Sequence, residues 1–167
     1  MSAITRFLTL LMAVLTLFLL TSCGEDEPAP ANYERPAATM ARAISLGDTK
    51  SYLNCFTHDA REAYINGENY NKNLVNTFLP SKTGTLIKTA TTDDKALSAD
   101  EIKKLEKQYK DKYKKRIDIT KARKINVDFI INGETKLYET KELTVVRVEN
   151  SWLVFGDVIE FFNFEKR

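Results

Sequence analysis

The chain has 167 residues, which is enough for one ordinary domain and a leader, and its 25 Lys or Arg nearly balance its 23 Asp or Glu. Because the net charge is close to zero, overall charge does not indicate any class of partner. Its six glycines are scattered singly, so phosphate loops and dinucleotide fingerprints are absent, and no cofactor is expected.

Residues 1–22 have the pattern of a secretory signal peptide. Arg6 supplies positive charge in a short polar start, and residues 7–20 are apolar except for Thr9 and Thr16. A membrane-spanning helix needs about 20 apolar residues, so this run is short for a permanent span. The alternative is an ordinary signal peptide or membrane anchor followed by an accidental cysteine.

The apolar run ends in Leu20-Thr21-Ser22-Cys23, which resembles the lipobox of bacterial lipoproteins. In that motif small residues let the chain enter signal peptidase II, and the cysteine thiol receives diacylglycerol. The resemblance implies that Cys23 becomes the acylated, palmitate-type first residue of the mature protein and that its first partner is the lipid bilayer. Cys55 is then the only free cysteine, so no disulfide can form within one chain.

Residues 23–35 are predicted to be the lipidated cysteine and a flexible tether. The segment contains the acidic triplet Glu25, Asp26 and Glu27 and the prolines Pro28 and Pro30, a composition that buries too little apolar surface to fold. The triplet is either a sorting signal or the solvated start of a linker. We therefore expect an extracytoplasmic, lipid-anchored protein, with inner membrane, outer membrane and cell surface all open.

Residues 36–167 are predicted to form a single α+β domain that begins with helices. Pro36 fits a first helical turn, apolar residues recur at helical spacing, and Gly47 ends the segment. Asp48 is predicted to cap a second helix that runs through Tyr64, and a weaker third helix covers residues 70–79. The apolar positions are Ala37, Met40, Ala41 and Ile44 in the first helix and Tyr52, Phe56, Ala60 and Ala63 in the second.

The second half of the domain is predicted to combine one helix with antiparallel strands. After a short strand at residues 85–89, Ser98 and Glu101 have the spacing of a capping box and begin a helix whose buried stripe ends at Tyr113. Residues 125–131 alternate apolar and polar, and Asn132-Gly133 is typical of a hairpin turn. A returning strand at 136–148, a turn at 149–151 and a last strand at 152–164, bent at Gly156, complete three long strands.

Two segments, "AISLGDTKSYLNCF" and "LTVVRVENSWLVFGDV", carry a resemblance to the nuclear transport factor 2-like, or cystatin-like, domains of small bacterial lipoproteins. The resemblance spans roughly residues 34–164. It implies amino-terminal helices packed on a curved, cone-like antiparallel sheet. Members of that family include polyketide cyclases, a steroid isomerase and non-catalytic binding modules, so the fold does not fix an activity.

Residues 103–124 contain eleven Lys or Arg and only three acidic residues. The simplest interpretation is a solvated helix face that keeps the domain soluble. The alternative is contact with anionic lipid head groups or wall polymers, where each cation contributes about 1 kcal/mol. Nucleic acid is scarce outside the membrane and is not an expected partner. The lysines proposed for this contact are Lys103, Lys104, Lys107, Lys110 and Lys114.

No catalytic residue and no metal ligand set is predicted. The one histidine, His58, neighbours Asp59, but adjacent helical side chains point about 100° apart and do not form a dyad by being neighbours. Cys55 lies in an apolar stripe and is predicted to be a small core residue instead of a nucleophile. The polar side chains considered for the inside of the cone are Tyr52, Tyr64, Asp128 and Asp157, and Trp152 is expected to seal the core.

These observations favour a non-catalytic binding or accessory module at the cell envelope, with an unknown envelope protein or small ligand as partner. The alternative is a small isomerase, dehydratase or cyclase, which needs a deep pocket with two convergent ionisable groups. A cone filled by Phe129, Val145, Trp152 and Phe155 would argue against that enzyme. A structural or immunity-like partner of a neighbouring envelope system is a third hypothesis.

Overall fold

The computed structural model describes residues 32–78, 87–131 and 137–159. The predicted lipobox with Cys23, the predicted tether up to residue 31, the predicted turn at Asn132-Gly133 and the predicted strand beyond residue 159 lie outside the described residues. Within these described ranges, four helices come first, then a strand, a long helix and three further strands. In chain order they are α1 Arg35–Leu46, α2 Thr49–Leu53, α3 His58–Ile65, α4 Leu74–Phe78, β1 Ile87–Ala96, α5 Ala99–Tyr113, β2 Lys121–Ile131, β3 Leu137–Val148 and β4 Ser151–Val154.

The four strands form one open antiparallel sheet in the order β1-β2-β3-β4. Alternate residues of β2, namely Ile125, Val127 and Phe129, are fully buried in the main core with α1 to α4. The domain is therefore α+β with the amino-terminal helices on one face of an antiparallel sheet, as predicted.

Helix α5 packs on the opposite face of the sheet, at the end that holds Ala122 and Val146. Ala122 of β2 and Val146 of β3 alternate with the main-core residues and form a second buried cluster. Ile102 and Leu105 of α5 pack against this cluster. The long helix and the amino-terminal helices thus lie on opposite sides of the sheet.

The second helix was predicted as one segment, and the structure corrects this. The chain leaves helical geometry at residues 54–57, where Phe56 pairs with Val154 in an isolated parallel bridge. The amide of Val154 donates to the carbonyl of Cys55 at 2.7 Å, and Thr57 has an extended ψ of 150°. Pairing with β4 satisfies backbone groups that a continuous helix would have used, so α2 ends and α3 begins anew at His58.

The strands also differ from the prediction in length. The first strand extends to Ala96 instead of residue 89, although most of its second half is exposed. β4 covers only four residues within the described chain. The second half of β1 was not predicted because its sequence is polar. This half lies at the edge of the sheet and buries little apolar surface, so it shows no apolar pattern.

Two helix caps form as the sequence predicts. Gly47 has a left-handed φ of 69°, and the amides of Gly47 and Asp48 donate to the carbonyls of Ile44 and Ala43, which closes the end of α1. Ser98 caps α5 and exchanges hydrogen bonds with Glu101 in a capping box. These caps determine where α1 ends and where α5 begins.

Candidate functional site

The lysines of α5 form an exposed stripe, as the amphipathic pattern predicts. Lys103, Lys107 and Lys110 recur on one side of the helix, and none of the three forms an ion pair or side-chain hydrogen bond with a described residue. Lys104 is also exposed and lies near Glu101, and Lys114 donates to the carbonyl of Asp111 at 2.7 Å. We call Lys103, Lys104, Lys107, Lys110 and Lys114 the lysine stripe.

Asp59 joins the beginning of α3 to the end of α5. Its carboxylate accepts a hydrogen bond of 2.9 Å from the hydroxyl of Tyr109 and pairs with Lys115 at 2.7 Å. His58 Nδ1 lies 3.6 Å from the same carboxylate, so these neighbours do approach each other at the helix start. Both carboxylate oxygens already have partners, which fits a structural link between the two helices.

The pKa values around this link agree with a structural role. Partial burial raises the pKa of Asp59, but hydrogen bonds from Lys115 and Tyr109 outweigh it and place the pKa below the ordinary value of 3.8. Burial raises the pKa of Tyr109 to about 12. At neutral pH the pair is therefore an ionised acid bound to a protonated phenol, and neither group is poised to exchange a proton.

The polar side chains considered for acid-base chemistry do not converge. Tyr52 is buried and donates to the carbonyl of Val158, while Tyr64 bonds to the backbone of residue 71. Asp128 accepts from Thr140 at 2.5 Å, and Asp157 pairs with Lys112 of α5. Each group has its own partner in a different part of the domain.

The interface between the sheet and the amino-terminal helices is filled in the described part of the chain. Phe129 and Val145 have no exposed surface there. Trp152 packs half-buried at one end of the main core, and Phe155 packs half-buried against the second cluster. Cys55 is buried, and burial raises the pKa of its thiol to about 12, as expected for a core residue and not for a nucleophile.

Open space lies beyond the last row of core residues, at one end of the sheet. Strand pairing places Lys121 directly opposite Arg147, and Arg147 directly opposite Trp152. This row continues the core face, because Arg123, two residues along β2, pairs with the buried Val145. One cationic side chain from each of two strands and an indole from a third therefore lie side by side.

Two adjoining hollows open around this row and share three lining residues, Asn32, Arg147 and Trp152. One has a volume of about 350 Å³ and also touches Arg35 and Ser151. The other has a volume of about 500 Å³. We call both hollows together the basic groove, lined chiefly by Asn32, Arg35, Lys121, Arg123, Arg147 and Trp152.

All the charged residues that are described in the lining of the basic groove are cationic. Four cationic residues line it, and none of its described lining residues is acidic. Arg123 forms an ion pair with Asp94, which is not one of the lining residues. The guanidinium carbon of Arg123 lies 4.5 Å from the ring centre of Tyr33. The buried Nε of Arg123 has no hydrogen-bond acceptor among the described residues. Arg35, Lys121 and Arg147 form no side-chain hydrogen bond or ion pair with any described residue.

Sequence reasoning missed the basic groove. One local signal was present, because Arg147 and Trp152 lie close to the predicted turn. The structure shortens that turn to Glu149 and Asn150, so that Val148 pairs with Ser151 and Arg147 pairs with Trp152. The other lining residues come from α1 and the residues just before it, from the end of β1, from α5, from the start of β2 and from the turn before β4. Strand register and the packing of the helices on the sheet bring these segments together.

Comparisons with protein-family models, with curated protein sequences and with solved structures found no match to this chain. Among the described residues, no helix is both long and apolar enough to cross a membrane. Within the same ranges, no three His, Cys, Asp or Glu side chains cluster as metal ligands would.

Proposed function

We propose that this protein is an extracytoplasmic lipoprotein, held on a membrane by acylated Cys23, whose domain acts as a non-catalytic binding or accessory module at the cell envelope. The observation that carries the proposal is Leu20-Thr21-Ser22-Cys23 at the end of the apolar residues 7–20. Two or three acyl chains give stable retention, since each buried CH₂ contributes about 0.8 kcal/mol. The domain is assigned the nuclear transport factor 2-like shape on the resemblance over residues 34–164.

The position of the domain start supports a role close to the membrane. Asn32, the first described residue and part of the basic groove, stands only nine positions after Cys23 in the sequence. Even fully extended, nine residues reach at most about 30 Å. An anchored domain would therefore meet membrane-bound partners at high local concentration.

The lysine stripe supplies a second contact with the membrane in this proposal. Its exposed ammonium groups would face anionic head groups, where each contributes about 1 kcal/mol at modest salt. The attraction falls off within about 10 Å at 0.1 M salt. The stripe therefore orients a domain that the lipid already holds nearby.

Lipid attachment is tested by growing cells that express the full chain with radiolabelled palmitate. We expect label and membrane retention in the native chain, and loss of both in Cys23→Ser. Cys55→Ala is the matched control, because it removes the buried cysteine and should keep the label. Mass spectrometry that finds position 23 unmodified, or retention of Cys23→Ser in the membrane fraction, contradicts the proposal.

The lysine stripe is tested with Cys23→Ser protein, which lacks the lipid, and vesicles of phosphatidylcholine with or without phosphatidylglycerol. Lys103→Glu with Lys107→Glu should weaken binding to the anionic vesicles about tenfold or more. Lys50→Glu with Lys72→Glu makes the same charge change at exposed positions on or near other helices. If both double variants bind equally, the stripe has no special contact with the membrane.

A further inference from the structure

We propose that the basic groove is a binding site for a small organic anion, namely a phosphate or carboxylate carried on a flat ring. The charged group would lie between Lys121 and Arg147, and the ring would lie against Trp152. This inference names a ligand class for the proposed module. It rests only on described residues, so it stands or fails separately from the acylation of Cys23.

The pairing of Lys121 with Arg147 is the first argument for an anion. Like charges directly opposite each other in an antiparallel pair are destabilising, because their Cβ atoms lie about 5 Å apart. No described acidic side chain lies between the two or pairs with either. An anion placed between them converts a repulsion into two charge-assisted hydrogen bonds.

The second argument is the exposed part of the Trp152 ring, because it favours a ligand whose charged group is attached to a flat ring. Trp152 lies directly opposite Arg147 and is half-buried, so one part of the indole packs on the core and the rest faces the groove. The ring of Tyr33 meets it edge-on, with ring centres 6.1 Å apart. Such a wall favours a flat ring by stacking, which contributes about 1 kcal/mol beyond area burial.

The third argument for a small-molecule ligand is the size of the basic groove and the polar residues at its edge. Volumes of about 350 and 500 Å³ fall within the range of small-molecule sites. Asn32, Asn150 and Ser151 supply hydrogen-bonding groups at the edge. The groove is concave, whereas the lysine stripe projects from a helix surface, so a small molecule fits the groove better than a membrane or a folded protein does.

The experiment uses the emission of Trp152, because it is the single tryptophan of the chain and lines the groove. The full chain in a non-ionic detergent is titrated with phenyl phosphate, benzoate, phenol and inorganic phosphate. Saturation-transfer difference spectra report whether the phenyl ring contacts the protein. We expect a saturable change with phenyl phosphate or benzoate and a Kd of about 1 mM or tighter.

Two single variants remove one cation each and form the matched pair. Arg147→Gln should weaken binding of the aromatic anion about tenfold, because a charge-assisted hydrogen bond is lost. Lys110→Gln, on the lysine stripe, should leave binding unchanged. Because Arg147→Gln also removes a like-charge pair, its thermal midpoint should not fall, and this separates lost binding from lost folding.

Each outcome decides the proposal. Preference for phenyl phosphate assigns a phosphate ligand, and preference for benzoate assigns a carboxylate, and both support the site. Phenol binding as tightly as either anion overturns the role of charge, and inorganic phosphate binding as tightly as phenyl phosphate overturns the role of the ring. No saturable response, or an equal response in Arg147→Gln and Lys110→Gln, overturns the site.

Discussion

Replacing Tyr52 with phenylalanine tests how the segment after β4 is held against the helices. Tyr52 of α2 is fully buried, and its hydroxyl donates a hydrogen bond of 2.8 Å to the carbonyl of Val158, 106 residues further along the chain. The rings of Phe56 and Phe78 lie 5.2 and 5.4 Å from the tyrosine ring, between centres. Phenylalanine keeps these ring contacts and removes only the hydroxyl.

The expected loss of stability has two parts. A typical intramolecular hydrogen bond contributes about 1 kcal/mol net, and a buried carbonyl left without its donor costs about 1 kcal/mol more. Tyr52→Phe should therefore lower the free energy of unfolding by about 2 kcal/mol. For a domain of this size the thermal midpoint should fall by several degrees.

The measurement is urea unfolding of both proteins, followed by circular dichroism and by Trp152 emission. Tyr70→Phe is the matched control, because Tyr70 is exposed and its hydroxyl has no hydrogen-bond partner among the described residues. We expect it to change stability by less than about 0.5 kcal/mol. Equal stability of the two variants would refute the view that the bond to Val158 secures this segment.

Two further changes test the helix ends. Gly47→Ala should lower the free energy of unfolding by about 1–2 kcal/mol. Alanine is strained at the φ of 69°, and its Cβ would lie 2.8 Å from Asn76 Oδ1. Calorimetry that shows no loss of stability contradicts this prediction. Asp59→Asn should cost about 1–2 kcal/mol at pH 7 by weakening the link to Tyr109 and Lys115. Because the pKa of Asp59 is lowered on folding, this stabilisation is present above the ordinary value of 3.8 and is lost as pH falls through the lowered value. Urea midpoints of native protein and variant should therefore converge at acidic pH, and a constant difference would exclude the charged link.

Local chemistry predicted the elements whose causes lie within a few residues. The end of α1 at Gly47 follows from the need for positive φ, and the start of α5 follows from the reciprocal bonds of Ser98 and Glu101. The alternation in β2 predicted which of its side chains are buried, from Ile125 to Phe129. Each of these signals acts over one turn or one pleat, so the sequence shows it directly.

Elements that depend on distant partners were predicted less well. The helix break at residues 54–57 requires Val154, almost a hundred residues away, as a backbone partner. The second half of β1 is held by pairing with β2, with a register shift between Thr91 and Asp93, and not by burial of its own side chains. Neither cause is visible in the local pattern of apolar residues.

The candidate sites divide in the same way. The sequence by itself indicated the lipobox at Cys23 and the lysine stripe, because a linear motif and a helical spacing are local properties. The basic groove was decided only by the tertiary structure. Lys121, Arg147 and Trp152 become neighbours when two strand registers are set together, and register depends on the packing of the whole sheet, which no short segment encodes.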